Sequence, residues 1–136
     1  MNLKKVVFLL SISVLLIALV VCYEVKQFQP RKMIVDRDAV ISVSVSYHGS
    51  KINVDKEKLI SILDHYYAKK TTYDYFPYLS EKIDITIDFV ENHRPRHILL
   101  GEFNVWYESS DKGAYDILEV QKLKGELKSI IKESFR

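Results

Sequence analysis

Ile83-Asp84-Ile85-Thr86-Ile87-Asp88-Phe89 alternates apolar and polar residues without a break. A period of two puts Ile83, Ile85, Ile87 and Phe89 on one face of a β-strand and Asp84, Thr86 and Asp88 on the other. The same pattern stands upstream, where Ile41, Val43, Val45 and Tyr47 alternate with Ser42, Ser44 and Ser46. One buried face on each strand specifies their register strongly. His48-Gly49-Ser50-Lys51 reads as a turn, and Ile52 and Val54 as a short return strand.

The segment between these strands changes period. Asp55 is a good helix N-cap with Glu57 in the first turn. Leu59, Ile60, Ile62, Leu63, Tyr66 and Tyr67 then recur at helical spacing. The expected helix runs to Lys69 and Lys70, whose cations suit its carboxyl end. An aromatic loop, Tyr73-Asp74-Tyr75-Phe76-Pro77-Tyr78, leads into the 83–89 strand.

Downstream, Glu91 to Arg96 reads as a turn around Pro95. His97 to Leu100, then Phe103, Val105 and Tyr107, read as one long strand or two short ones, with Gly101 at a bulge or bend. Ser109 to Gly113 forms a hairpin turn into Ala114 to Leu118. Val120, Leu123, Leu127, Ile130 and Ile131 make the buried stripe of a last helix, in which Gly125 costs about 1 kcal/mol against alanine. The order β-β-α-β-β-β-α with short connections implies mostly antiparallel pairing. The expected fold is α+β, a two-layer sandwich with two helices on one sheet face. Ser42, Ser44, Ser46, Asp84, Thr86 and Asp88 would make the other face wet.

Before this domain stands Val6 to Tyr23, VVFLLSISVLLIALVVCY, eighteen residues without a charge. At helical rise it is about 27 Å long, close to the hydrocarbon thickness of a bilayer. Lys4 and Lys5 precede it, as in the basic region of an export signal. Residues 1–23 are therefore read as an uncleaved signal anchor, 24–38 as a juxtamembrane linker that ends in a strand near Met33 to Val35, and 39–136 as the domain. Lipid attachment at Cys22 is the alternative fate, although Leu19, Val20 and Val21 are larger than lipoprotein signals prefer; cleavage after Val20-Val21-Cys22 is the third. The lysines abut the apolar run directly, which favours a domain outside the cytoplasm, while Lys26, Arg31, Lys32 and Arg37 on the far flank oppose that orientation.

From Ala39 onward 98 residues carry 14 basic and 15 acidic side chains. The first 38 residues hold six basic and three acidic ones, so the whole-chain charge of +2 arises beside the apolar run. The basic excess thus points to anionic head groups and not to nucleic acid. Cys22 is the sole cysteine, so packing alone must hold the domain.

Two clusters suggest a binding surface. Thirteen residues from Tyr66 to Tyr78 include six aromatics, and tyrosines give large contact area with a polar tip. His93-Arg94-Pro95-Arg96-His97 forms a basic hairpin tip suited to phosphate or carboxylate. Tyr73, Tyr75, Phe76, Tyr78, Arg94 and Arg96 are the candidate partner contacts. Lys124, Lys128, Lys132 and Arg136 form an i,i+4 ridge on the last helix. Asp84 and Asp88 lie roughly 13 Å apart along one strand, too far to bind one ion unaided. No metalloprotease, P-loop, nucleophile-elbow or paired-cysteine motif is present. No catalytic residue, cofactor or metal is expected.

Three features together resemble a known kind of protein: the apolar anchor, the helix start Asp55-x-x-x-Leu59-x-x-x-Leu63, and Tyr115-x-Ile117 followed by Leu123 and Leu127. The chain resembles the small membrane-anchored extracytoplasmic domains of unknown function in low-GC Gram-positive bacteria. That resemblance implies a bacterial surface protein and brings no catalytic residues. The expected role is a non-catalytic binding module at the cell envelope, with a protein or cell-wall partner. A membrane-tethered immunity protein, or a small envelope hydrolase using His and Asp groups brought together by the sheet, are the alternatives.

Overall fold

One glycine-free two-residue turn and one buried acid do more to shape the domain than its sequence suggests. The computed structural model describes residues 2–72, 82–109 and 113–135. In chain order it has α1 (Leu3–Gln27), β1 (Arg31–Lys32), a short 3-10 turn (Arg37–Ala39), β2 (Val40–Tyr47), β3 (Ser50–Ile52), α2 (Lys56–Leu63) and β4 (Tyr67–Lys70), followed by β5 (Ile83–Glu91), β6 (Arg94–Gly101), β7 (Asn104–Glu108), β8 (Ala114–Ile117) and α3 (Val120–Ser134). The strands form one antiparallel sheet in the order β1-β4-β8-β7-β6-β5-β2-β3. The α+β architecture expected from the alternation is present, with eight strands among the described residues where the order β-β-α-β-β-β-α has five.

The core lies on one face of this sheet. Val45, Ile85, Ile87, Phe89, Ile98, Leu100, Trp106, Tyr115 and Ile117 pack there against Leu59, Ile60 and Leu63 of α2 and Leu123, Leu127 and Ile131 of α3. Asp55 caps α2 by accepting from the backbone N–H groups of Glu57 and Lys58. That helix stops at Leu63 instead of continuing to Lys70. The carbonyl of Tyr66 accepts the N–H of Met33, and residues 67–70 pair with β1 and β8. Sheet pairing on both sides thus overrides an apolar spacing that also fits a helix. Tyr66 remains a core residue; its hydroxyl donates to Glu126 of α3 at 2.6 Å.

The segment expected to be a linker belongs largely to the domain. α1 runs on to Gln27, only Phe28, Gln29 and Pro30 separate it from β1, and Met33 and Ile34 are fully buried. Glu91 secures this segment, accepting the N–H groups of Val35 and Asp36 at 2.6 and 2.7 Å. Ile41, expected to face the core, is exposed because the register shifts between Val40 and Ser42.

The β5–β6 turn is Asn92-His93, both with positive φ, and not a loop centred on Pro95. This pair takes the place of the Asn-Gly usual in a type I′ turn. Pro95 sits one residue inside β6, opposite Val90. At the other end of the hairpin, a Cβ on Gly101 would lie 2.1 Å from the carbonyl oxygen of Lys82, so only glycine fits beside the register shift there.

The second sheet face is wet only in part. Ser42 is exposed, and Ser44, Ser46, Asp84, Thr86 and Asp88 are half-buried. Leu99, Val105 and Ala114, on the same face, are buried. The unbroken run Ile98-Leu99-Leu100 carries that signal, because a strand covered on both sides loses its alternation.

α1 has no residue buried against the domain and is long and apolar enough to cross a membrane, as a signal sequence also is.

Candidate functional site

A two-residue turn between β5 and β6 fixes which side chains meet across the hairpin. It places Asp88 opposite His97, with Ser44 beyond Asp88 on β2 and Tyr107 beyond His97 on β7. All four point to the face opposite the helices, where successive strands contribute one row.

Within this row His97 is held at both ring nitrogens. Nδ1 lies 2.6 Å from Asp88 Oδ1, and Nε2 lies 2.6 Å from Ser109 Oγ. An ionised carboxylate only accepts, so Nδ1 carries the proton and donates to Asp88; in the neutral ring this leaves Nε2 to accept from the Ser109 hydroxyl. Tyr107 stacks on the imidazole with ring centroids 4.7 Å apart. Burial, and then the Asp88 charge, push the Tyr107 phenol above its usual range, so Tyr107 presents a neutral hydroxyl. A second aspartate–histidine contact lies nearby, with His48 Nδ1 3.7 Å from Asp84 Oδ1. Asp84 and Asp88 therefore turn to different histidines and do not converge. Among the described residues no group of three or more His, Cys, Asp or Glu side chains is arranged to hold a metal ion.

Chemically, the Asp88–His97–Ser109 arrangement orients a base against a hydroxyl, as acyl-transfer sites do. A tetrahedral intermediate also needs N–H donors aimed at its oxyanion. The N–H of Ser109 is already spent on the carbonyl of Pro95, at 3.1 Å. What remains is an ordered set of hydrogen-bonding groups and two stacked rings beside water.

The hairpin places the two candidate arginines differently. Arg94 is exposed and lies 3.9 Å from Glu108. Arg96 is buried on the core face, with Nε 3.5 Å from Glu91 Oε1, Nη2 3.8 Å from Glu108 Oε2, and its guanidinium 5.1 Å from the Trp106 ring centroid. Arg96 is thus an internal ion-pair residue and not part of a hairpin tip. Tyr73, Tyr75, Phe76 and Tyr78 lie outside the described residues. On the last helix, Lys124 donates to the Gly101 carbonyl at 2.9 Å, whereas Lys128 and Lys132 are exposed.

Sequence reasoning missed both acid–base pairs of the hairpin. Centring the turn on Pro95 separates Asp88 from His97. Glu91 and Arg96 carried a readable signal: each continues the apolar phase of its strand, after Ile85, Ile87 and Phe89 and before Ile98 and Leu100. Charges in a core phase need each other.

A groove of about 740 Å³ opens elsewhere, between α2 and α3, lined in part by Arg37, Ser61, Ile62, Gly125 and Ile130. Comparisons with protein-family models, curated proteins and solved structures find no match.

Proposed function

We propose that this chain is a single-pass membrane protein whose domain, outside the cytoplasm, is a non-catalytic binding module of the cell envelope. One observation carries the binding role: Asp88, His97 and Tyr107, in one row with Ser44, are ordered by their own hydrogen bond and stacking, yet sit on the sheet face that neither helix covers. Polar groups fixed in advance lose little freedom on binding, and a tyrosine beside a histidine suits a protein or wall partner rich in hydroxyls and amides. The apolar surface of α1 supports the anchor, with Cys22 lipidation as its alternative.

A photo-crosslinking side chain at Ser44 tests this reading in cells. It should capture an envelope component, the capture should disappear on His97→Ala, and the same probe at Lys128 on α3 should capture nothing comparable. Equal capture from both positions, unaffected by His97→Ala, contradicts it. The Asp88–His97–Ser109 geometry favours a second reading, an envelope hydrolase. Labelling of Ser109 by a fluorophosphonate, abolished by His97→Ala, would establish that reading in place of the first.

A further inference from the structure

We propose that the β1–β4 edge of the sheet lies on the membrane surface and holds anionic lipid head groups. The inference rests on reading α1 as a membrane anchor and then follows from chain length. α1 has 25 residues, about 38 Å at helical rise, against roughly 30 Å of hydrocarbon. Its polar last turn, Glu24 to Gln27, therefore reaches the head groups. Phe28, Gln29 and Pro30 are all that separate it from β1, and three residues span about 10 Å when fully extended. β1 must begin at the head-group layer or immediately beyond it.

The domain cannot swing this strand away without breaking its own core. β1 pairs with β4 through Arg31↔Ala68 and Lys32↔Tyr67. Met33 and Ile34 follow directly and are fully buried. Glu91 then holds Val35 and Asp36 by their N–H groups. β1 is also the terminal strand of the sheet, so the side that faces the membrane is the sheet's free edge.

The chemistry of that edge fits phosphodiester anions. Arg31, Lys32 and Lys69 are exposed and Lys70 is half-buried. Arg31 donates to the Tyr115 hydroxyl at 3.2 Å and lies over its ring, which fixes the guanidinium without neutralising it. Among the described residues, the carboxylates facing these groups are Asp64, 3.3 Å from Lys32 and 4.0 Å from Arg37, and Asp116, opposite Lys69 in the register. Among the described residues, four edge cations thus face two carboxylates, while Glu24 and Lys26 offset each other in the last turn of α1. Tyr67 is 44% exposed between the lysines, where a tyrosine suits the membrane–water interface. Basic groups this close to an anionic leaflet lie within a Debye length of its charge.

The test uses the full chain reconstituted into vesicles of phosphatidylcholine alone, or of phosphatidylcholine and phosphatidylglycerol in equal parts. Lysine acetylation is read by mass spectrometry. Lys69 should react about threefold more slowly on the anionic vesicles at low salt, and high salt should abolish the difference. Lys122 and Lys128, exposed on α3, should react alike on both. Equal rates at Lys69 on both vesicles, in a chain that resists alkaline carbonate extraction, overturn the proposal and leave the anchor standing. Extraction by carbonate from both vesicles overturns the anchor, and the edge contact with it.

Discussion

The β5–β6 hairpin carries two acid–base pairs, one on each face of the sheet, and they do opposite things. On the helix-covered face, Glu91 is 1% exposed and meets Arg96, which is 8% exposed. There the pair ties the segment after α1 to the core. On the other face, Asp88 meets His97 with half of the aspartate side chain in water. The residue types are similar, and so are the elements that supply them. The phase of the strand decides which pair is sealed in the core and which stays partly in water. A buried charge left alone is costly, whereas an exposed one is solvated.

The comparison breaks most readily at Glu91. Glu91→Ala leaves Arg96 buried opposite only Glu108 and frees two backbone N–H groups, at an expected loss of about 3–5 kcal/mol. Urea unfolding of the full chain in detergent, followed by Trp106 fluorescence, measures this. Trp106 is the single tryptophan and lies beside Arg96.

Gly101→Ala attacks the other end of the same hairpin, at its register shift. The new methyl meets backbone at Lys82, which cannot rotate away as a side chain would, so a loss of roughly 2–3 kcal/mol is expected in the same assay.

Alkaline pH sharpens the contrast through the tyrosines. On the covered face, burial and the hydrogen bond to Glu126 hold the Tyr66 phenol protonated far above its usual range; on the other face, burial and Asp88 raise Tyr107. Unfolded tyrosines ionise near pH 10. Above that pH the folded chain keeps protons that the unfolded chain has lost, so stability falls as pH rises, and is fully present below it. Tyr66→Phe should flatten this decline more than Tyr107→Phe does.

Asp88→Asn has the smallest expected effect on stability, within about 1 kcal/mol. It replaces a carboxylate that can only accept by an amide that can accept or donate, so the His97 tautomer is no longer fixed, and the capture from Ser44 should weaken although the fold persists.

These results also bear on what was legible in the sequence. Long alternating strands, the Asp55 cap and the stripe of α3 were readable because each repeats one period over several residues. β1 and β4 were not, since two and four residues are too few to establish a period, and Tyr66-Tyr67 fits a helix equally well. The site was hidden by one misplaced turn. Pro95 is a familiar turn marker, yet the chain turns at Asn92-His93, and that difference alone decides whether Asp88 and His97 face each other.

The division of labour between the two faces is tested most directly by the stability of His97→Ala. His97 has two side-chain hydrogen bonds and a stacked ring, all at a partly exposed position. If these serve recognition, the unfolding free energy of the full chain in urea should fall by about 1 kcal/mol or less while the capture from Ser44 is lost. A loss as large as that of Glu91→Ala, with capture retained by the protein that remains folded, would make His97 a structural residue and contradict the account.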